Sequence, residues 1–489
     1  MAGGRANGAV PRLQAGAGGD RRTMGGGITG DIFKLQVSIS TAKSGIVLGL
    51  LRRLNVDRAV AYLLVTRLWQ IVSYLVLAIL IAHYFTAEQQ GYYFTFLSLL
   101  SLQIFVELGL TVVIINAASH EWSLLGVDAS LRISGDPRAL SRLVGMGRLF
   151  FKWYGMAMLL FIVGVGIAGY LFFHGRPGPR VDWLRPWVAL VLLAGLNLWL
   201  TPLNAVLEGC NQIVRINRAK LHQAVMESLA VWMGLVFGAG LWCLVFALAV
   251  RLARNACLLF VEYRNFFIPF LDRPRVPGID WFAEVWPLQW RLAIQGAVGY
   301  FFSSLFTPVM FHYHGPVVAG QTGMTLQMAN GLQIIGMAWI TTRVPTFGGL
   351  IAKRQYDELD ALWRRATVIS VTVVFMGAIM LSAAIIGLNA MNSGFARRLL
   401  DPFSASFYLL AAVILQFMQS IAMYLRAHKR EPIMVASVTA SLATGLLVWI
   451  LGKRWGPAGA GAGYLCVLII AAFWLWRIMK RCRREWHTI

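Results

Sequence analysis

The chain has 489 residues, of which 58% are hydrophobic and only 13% charged, whereas a water-soluble globular chain carries about 25% charged residues. This balance excludes an ordinary cytoplasmic enzyme, and five cysteines without a three-residue glycine period exclude a disulfide scaffold and a collagen. The formal net charge of +23 would point a soluble chain to nucleic acid, but beside apolar blocks of this length it points to basic loops on one membrane face.

In chain order, the first 30 residues are Gly-rich and contain Arg5, Arg12, Arg21 and Arg22, the composition of a disordered cytoplasmic arm. The run IVLGLL that follows, close to Arg52, Arg53 and Arg58, is too short to span and suits an interfacial helix on the inner leaflet. Apolar segments then fall at 59–83, 92–117, 150–173, 187–207, 221–237 and 241–262. A second series follows at 289–311, 319–343, 365–388, 404–425, 432–450 and 457–477. Each has helical rather than barrel length, and a backbone in lipid has to satisfy its own polar groups. The expected fold is an all-α polytopic integral membrane protein with about 12 transmembrane helices. They divide into two six-helix bundles, 59–262 and 289–477, after the basic 1–58 arm. A cytoplasmic linker, 263–288, punctuated by Pro269, Pro274, Pro277 and Pro287, joins the bundles, and a basic tail covers 478–489.

Lys and Arg set the expected orientation. Twenty-one of them, including Arg132, Arg138, Arg215, Lys353, Arg426 and Arg481, fall in loops and the tail on one side, against seven on the other. That bias places both termini in the cytoplasm. It also accounts for most of the positive charge without a nucleic-acid partner. Two bundles joined by a long cytoplasmic connection suit alternating access around a central path.

Five arginines carry the electrostatic argument: Arg67, Arg251, Arg254, Arg291 and Arg343. A guanidinium in hydrocarbon is costly, so it snorkels or faces a protected polar interior. Arg251 and Arg254 are three apart, near the middle of an apolar span, and their forked donors suit phosphate oxygens. A structural network with Glu107, Glu227 or backbone carbonyls is the other reading. Arg67 lies within the first apolar segment, while Arg291 and Arg343 lie near segment ends, where snorkelling competes. Glu107 and Glu227 are candidate counter-ions or carboxylates coupling transport to a proton or sodium gradient. Glu208 is expected to partner Arg215 or Arg218. Gln327, Asn330 and Gln333, in steps of three, are candidate cavity amides, as are Gln416 and Gln419. Amides of this kind also join helices.

No G-x-x-x-x-G-K-[ST] or H-E-x-x-H motif occurs, and Cys210, Cys243, Cys257, Cys466 and Cys482 lack metal-site spacing. No catalytic residue, metal or cofactor is therefore expected. His312 and His314 fall at an external turn.

Residues 88–121, from EQQGYYFTFLSLLSLQIFVELGL to NAASHE, resemble the opening helices of bacterial polysaccharide (O-antigen type) flippases. Those proteins belong to the multidrug/oligosaccharidyl-lipid/polysaccharide exporter superfamily. AHYFTAEQQGYY resembles their first external turn, LEGCNQIVRINRAK at 207–220 their cytoplasmic junction after the fourth helix, and WGPAGAGAGYL at 455–465 the entrance to a late helix. The resemblance covers nearly all of 59–477. It implies a multi-pass protein of the bacterial inner membrane that moves an undecaprenyl-diphosphate-linked oligosaccharide to the periplasmic leaflet. It also implies membrane lipids and a polysaccharide polymerase or assembly complex as partners. A cation-coupled multidrug exporter, a polymerase or ligase, and a non-transporting scaffold are the competing readings.

Overall fold

The computed structural model describes residues 58–174, 181–272, 281, 285–428 and 430–487. The N-terminal arm, its expected interfacial helix and residues 273–280 and 282–284 of the proline-rich linker lie outside the described residues. The described residues fall within one compact unit, Arg58–Ile489.

The first helix, α1 (Arg58–Tyr84), runs through a stretch with neither glycine nor proline. α2 (Ala87–Leu100) starts at a capping box: the Thr86 hydroxyl accepts from the Gln89 backbone N–H, and the Gln89 side chain accepts from the Thr86 N–H. After a short 3₁₀ turn come α3 (Ile104–Glu107) and α4 (Leu110–Trp122). Between them Leu108 and Gly109 are both left-handed, at φ 51° and 69°. The path from Ala87–Glu107 into Leu110–Trp122 consequently bends by 48°. The expected straight helix over 92–117 is thus broken. A Cβ on Gly109 would lie only 2.5 Å from Leu292 Cβ, so the break is also a point of close helix approach.

A small antiparallel hairpin, β1 (Leu125–Val127) and β2 (Ile133–Gly135), follows α4 and is an exception to the all-helical expectation. Its turn is fixed by Asp128, which accepts from Ser130 Oγ at 2.7 Å and the Arg132 N–H at 2.8 Å. Those bonds, the serine hydroxyl foremost, hold the Asp128 carboxyl below its usual range. α5 (Pro137–Phe173) begins with Asp136 capping Ala139 N–H and Pro137 at the first helical position. Next come α6 (Leu184–Gly209), α7 (Ile213–Val236) and α8 (Trp242–Cys257), the last continuing as a π-helical turn, Leu258–Glu262, into the short α9 (Arg264–Phe267).

The remaining helices are α10 (Trp286–Ser303), α11 (Phe306–Thr341), α12 (Val344–Ala352), α13 (Tyr356–Ala390), α14 (Pro402–Ala427) and α15 (Met434–His487). α11 breaks at Gly315, φ 87°, and the 54-residue α15 at Gly456, φ 62°. In both the glycine is followed by a proline, Pro316 or Pro457, which cannot donate back into the preceding turn. The segment expected at 289–311 is broken too, with a 45° bend between Gln289–Ser303 and Phe306–His314.

Among the described residues, eight helices are long and apolar enough to cross a membrane, or ten if each of two bent pairs is one crossing. The difference from the expected twelve has two visible sources. α7 contains Arg215, Arg218, Lys220 and Glu227, and the tandem halves of α15 count once. The outward faces carry a belt of exposed apolar residues, among them Leu68, Leu75, Ile79, Leu160, Leu171 and Met380. In water such a belt would drive aggregation; against acyl chains it costs nothing. The chain is a multi-pass membrane protein.

Candidate functional site

At one end of the molecule α2 and the second half of α11 pack backbone against backbone. Glycines make this possible. A Cβ on Gly91 would collide with the Pro316 carbonyl oxygen, one on Gly320 would lie 2.9 Å from Gly91 N, and one on Gly323 2.5 Å from Phe94 Cβ. Side-chain amides then stitch the approach to main-chain acceptors. Gln90, 1% exposed, donates to the Gly320 and Arg398 carbonyls, each at 2.9 Å. Gln321 donates to the Arg397 carbonyl at 3.0 Å, and the Arg398 guanidinium donates to the Phe85 carbonyl. Tyr92 extends the contact through an edge-to-face ring pair with Phe311 at 5.0 Å.

This seal leaves two buried atoms without a hydrogen-bond partner, Gln90 Oε1 and Arg398 Nη1. Burial accordingly pushes the Arg398 guanidinium below its ordinary pKa. Each orphaned polar atom costs about 1–3 kcal/mol, so the seal is tight in packing and incomplete in hydrogen bonding.

Below the seal is a chamber of about 280 Å³ between α1, α2, α10 and α11, lined by Tyr74, Ser98, Ser303, Thr307, Gln327 and Asn330 among others. Its polar groups are neutral hydroxyls and amides. Tyr74 and Gln327 also line a second cavity of about 630 Å³ between α1, α11 and α13. That one is apolar, with Leu75, Met328, Leu332, Met376 and Met380 on its walls. Leu75 and Met380 are 60% and 70% exposed, so the groove faces the lipid side of the bundle. A polar chamber and an apolar groove therefore share a boundary.

Of the three amides expected together, Gln327 and Asn330 line the chamber and Gln333 does not. Gln333 is buried, donates to the Ala412 carbonyl at 3.2 Å and accepts from Gln419 at 3.3 Å. The reason is angular: three residues advance a helix by about 300°, so two such steps leave Gln333 about 120° from Gln327. Gln416 donates to Ser370 Oγ at 2.6 Å, so it and Gln419 join helices rather than line the chamber.

The structure does not gather the five arginines. Arg67 is exposed and donates to Gln70 Oε1 at 3.1 Å, one turn away. Arg251 makes a two-pronged pair with Glu227 across α7 and α8, Nε to Oε1 at 2.8 Å and Nη2 to Oε2 at 2.7 Å. Gln223 adds a third donor to Glu227 Oε1 at 2.7 Å. Arg254 pairs with Glu262 at 2.8 Å and lines a separate groove of about 820 Å³ with Trp69, His222 and Met226. Arg291 is exposed against the Trp290 ring, 5.5 Å from its centre, and Arg343 is exposed at the junction of α11 and α12. Glu107 is half-buried at the α3–α4 break, where its carboxylate accepts from the Thr111 hydroxyl. Glu208 pairs with Lys220 rather than the expected Arg215 or Arg218. Ile213 opens α7 almost directly after α6, and the lysine, further along α7, is the cation that reaches back. His314 meets the Gly452 carbonyl at 2.7 Å. Among the described residues no group of three His, Cys, Asp or Glu side chains could hold a metal.

No protein-family model and no curated protein matches the chain. Among solved structures, it is similar to a lipid II flippase MurJ in an inward closed conformation, with a TM-score of 0.61 and 12% identity over 86% of this chain and 87% of that one. A multidrug resistance MATE family transporter of the MOP superfamily, inward-facing, has a TM-score of 0.56 and 12% identity over 88% and 99%. A Vibrio cholerae MATE transporter mutant has a TM-score of 0.55, again at 12% identity over 88% and 99%. The chain has the polytopic helical fold shared by the MurJ flippase and the MATE transporters of the MOP superfamily.

Proposed function

We propose that the chain is an alternating-access transporter of the bacterial inner membrane, and that it flips an undecaprenyl-diphosphate-linked oligosaccharide to the periplasmic leaflet. The observation that carries this reading is the shared wall of the two cavities. An amphiphile needs a polar place for its sugars and an apolar place for its tail at once, and Tyr74 and Gln327 border both. Fixed hydroxyls and amides replace part of the water that a hydrated head loses on crossing hydrocarbon, so no covalent chemistry is required. In this reading the α2–α11 seal is the closed periplasmic gate, and 59–262 and 289–477 are the two bundles that rock about the chamber. The substrate, membrane lipids and a polysaccharide polymerase are its partners in this reading, and Glu107 stays the candidate for coupling to a proton or sodium gradient, since Glu227 is the counter-ion of Arg251.

A multidrug exporter of the same fold is the second reading. It is favoured by the neutrality of the chamber, whose lining includes no arginine and so does not repel a lipophilic cation.

The groove separates the two. A Cβ on Gly331 would meet nothing nearer than Tyr74 Cδ2 at 4.0 Å, so a larger side chain there fills the groove without displacing the helices. Gly331→Leu is expected to lower polysaccharide export strongly at normal membrane abundance, read by surface-polymer staining beside an immunoblot. Unchanged export would remove the groove from the transport path. Orientation is tested separately, with single cysteines at exposed positions of a cysteine-free protein. A cysteine at Asn392 is expected to react with an impermeant thiol reagent in intact spheroplasts, and one at Ser134 only after lysis.

A further inference from the structure

Away from the chamber and the seal, the first turns of α13 and the last turns of α15 border an open cavity of about 530 Å³. Its lining includes Asp360, Arg364, Arg365, Val368, Ile369 and Arg483. Asp360 and Arg483 already hold each other. The buried Asp360 carboxylate takes the Tyr424 hydroxyl on Oδ1 at 2.6 Å and the Arg483 guanidinium on Oδ2, so both its oxygens are engaged. This joint fixes the two walls, α13 and α15, with Tyr424 of α14 behind them.

Arg364 and Arg365 are different. Both are exposed, and among the described residues neither has an ion pair. They are also the last charges before 366–390, a stretch with no Asp, Glu, Lys or Arg. Val368, 58% exposed, and Ile369 lie one turn deeper. The open cavity therefore sets two unpaired cations beside an exposed apolar step, at the start of an uncharged stretch of a helix long enough to cross a membrane. Asp357 also lines the rim, two helical turns before Arg364, an axial rise of about 10 Å.

We infer that this cavity binds the phosphodiester headgroup of an anionic glycerophospholipid from the leaflet on the side of the basic loops. Two adjacent guanidinium forks receive the phosphate oxygens, and an acyl chain passes over Val368 and Ile369. The exposed apolar step at Val368 and Ile369 is what commits the site to a lipid rather than to a soluble phosphate. The inference does not depend on what the protein transports.

The test uses the full-length protein in nanodiscs of phosphatidylcholine containing phosphatidylglycerol, with retained lipids counted by native mass spectrometry after release. Wild type is expected to retain phosphatidylglycerol selectively. Arg364→Gln with Arg365→Gln is expected to weaken that retention by about 30-fold, the loss for two cations near a charged surface. Lys353→Gln, which removes an exposed cation outside the cavity, should behave as wild type. Val368→Asn, with all charges intact, should weaken retention as well, and excess inorganic phosphate should not displace the lipid. Equal retention by the double variant and wild type would overturn the assignment. So would an equal loss in Lys353→Gln, which signals diffuse surface charge, or displacement by inorganic phosphate, which signals a soluble anion site.

Discussion

Gly91→Val is expected to hold the α2–α11 end open. Pro316, whose carbonyl carbon would lie 2.5 Å from a Cβ at position 91, contributes backbone to the clash rather than a side chain that could rotate away. The helices have to part, and with them go the two Gln90 bonds to Gly320 and Arg398. Each is worth about 1 kcal/mol, less than the cost of overlapping backbone. The check is a single cysteine at Thr322, which is fully buried beneath the seal. In purified Gly91→Val protein it should react with a thiol reagent at least about tenfold faster than in the parent, since opening replaces a rare local excursion. Transport should be lost, because a transporter that cannot close one face cannot complete a cycle. Slow labelling together with normal transport would mean that α2 and α11 accommodate the methyl groups by another route.

The second large effect is expected at Glu227. Glu227→Gln leaves the Arg251 fork without its carboxylate, while Gln223 keeps its donor aimed at the same place. Breaking a buried pair by removing one partner costs about 3–5 kcal/mol. The Arg251 side chain is 44% exposed and Glu227 16%, so solvent screening reduces this to about 1–3 kcal/mol. Membrane abundance and melting temperature should fall in Glu227→Gln and recover in the Glu227→Gln, Arg251→Gln double variant, since the stranded charge is then gone. Normal abundance with lost transport in both variants would instead give the pair a part in the transport cycle.

That pair was legible in the sequence, though not from the spacing of the arginines. Gly238 and Gly240, at φ 72° and 57°, turn α7 directly into α8. Glu227 and Arg251 stand twelve residues on either side of Ala239, so an antiparallel hairpin folded there brings them level. The membrane class and the two Gly-Pro breaks are equally local properties, readable from the apolar runs and from HGP and WGP. The seal is not. Gln90 meets Gly320 and the Arg398 backbone across 230 and 308 residues, and nothing local marks a glutamine as the side chain that bridges them. The bend at Leu108 is similar, because a left-handed leucine is set by what packs around it. The chamber is neutral for a related reason. Arginines are conspicuous in an apolar sequence, but their carboxylate partners and their exposure are tertiary facts.

The transport assignment is tested most directly in a strain lacking the protein, by extracting lipid-linked sugars and probing their leaflet with an impermeant glycosidase, beside efflux of a cationic dye in the same cells. The account predicts diphosphate-linked oligosaccharide accumulating on the cytoplasmic leaflet, loss of surface or secreted polysaccharide, and little change in dye efflux. Normal polysaccharide with lost dye efflux would contradict it and make the chain a drug exporter.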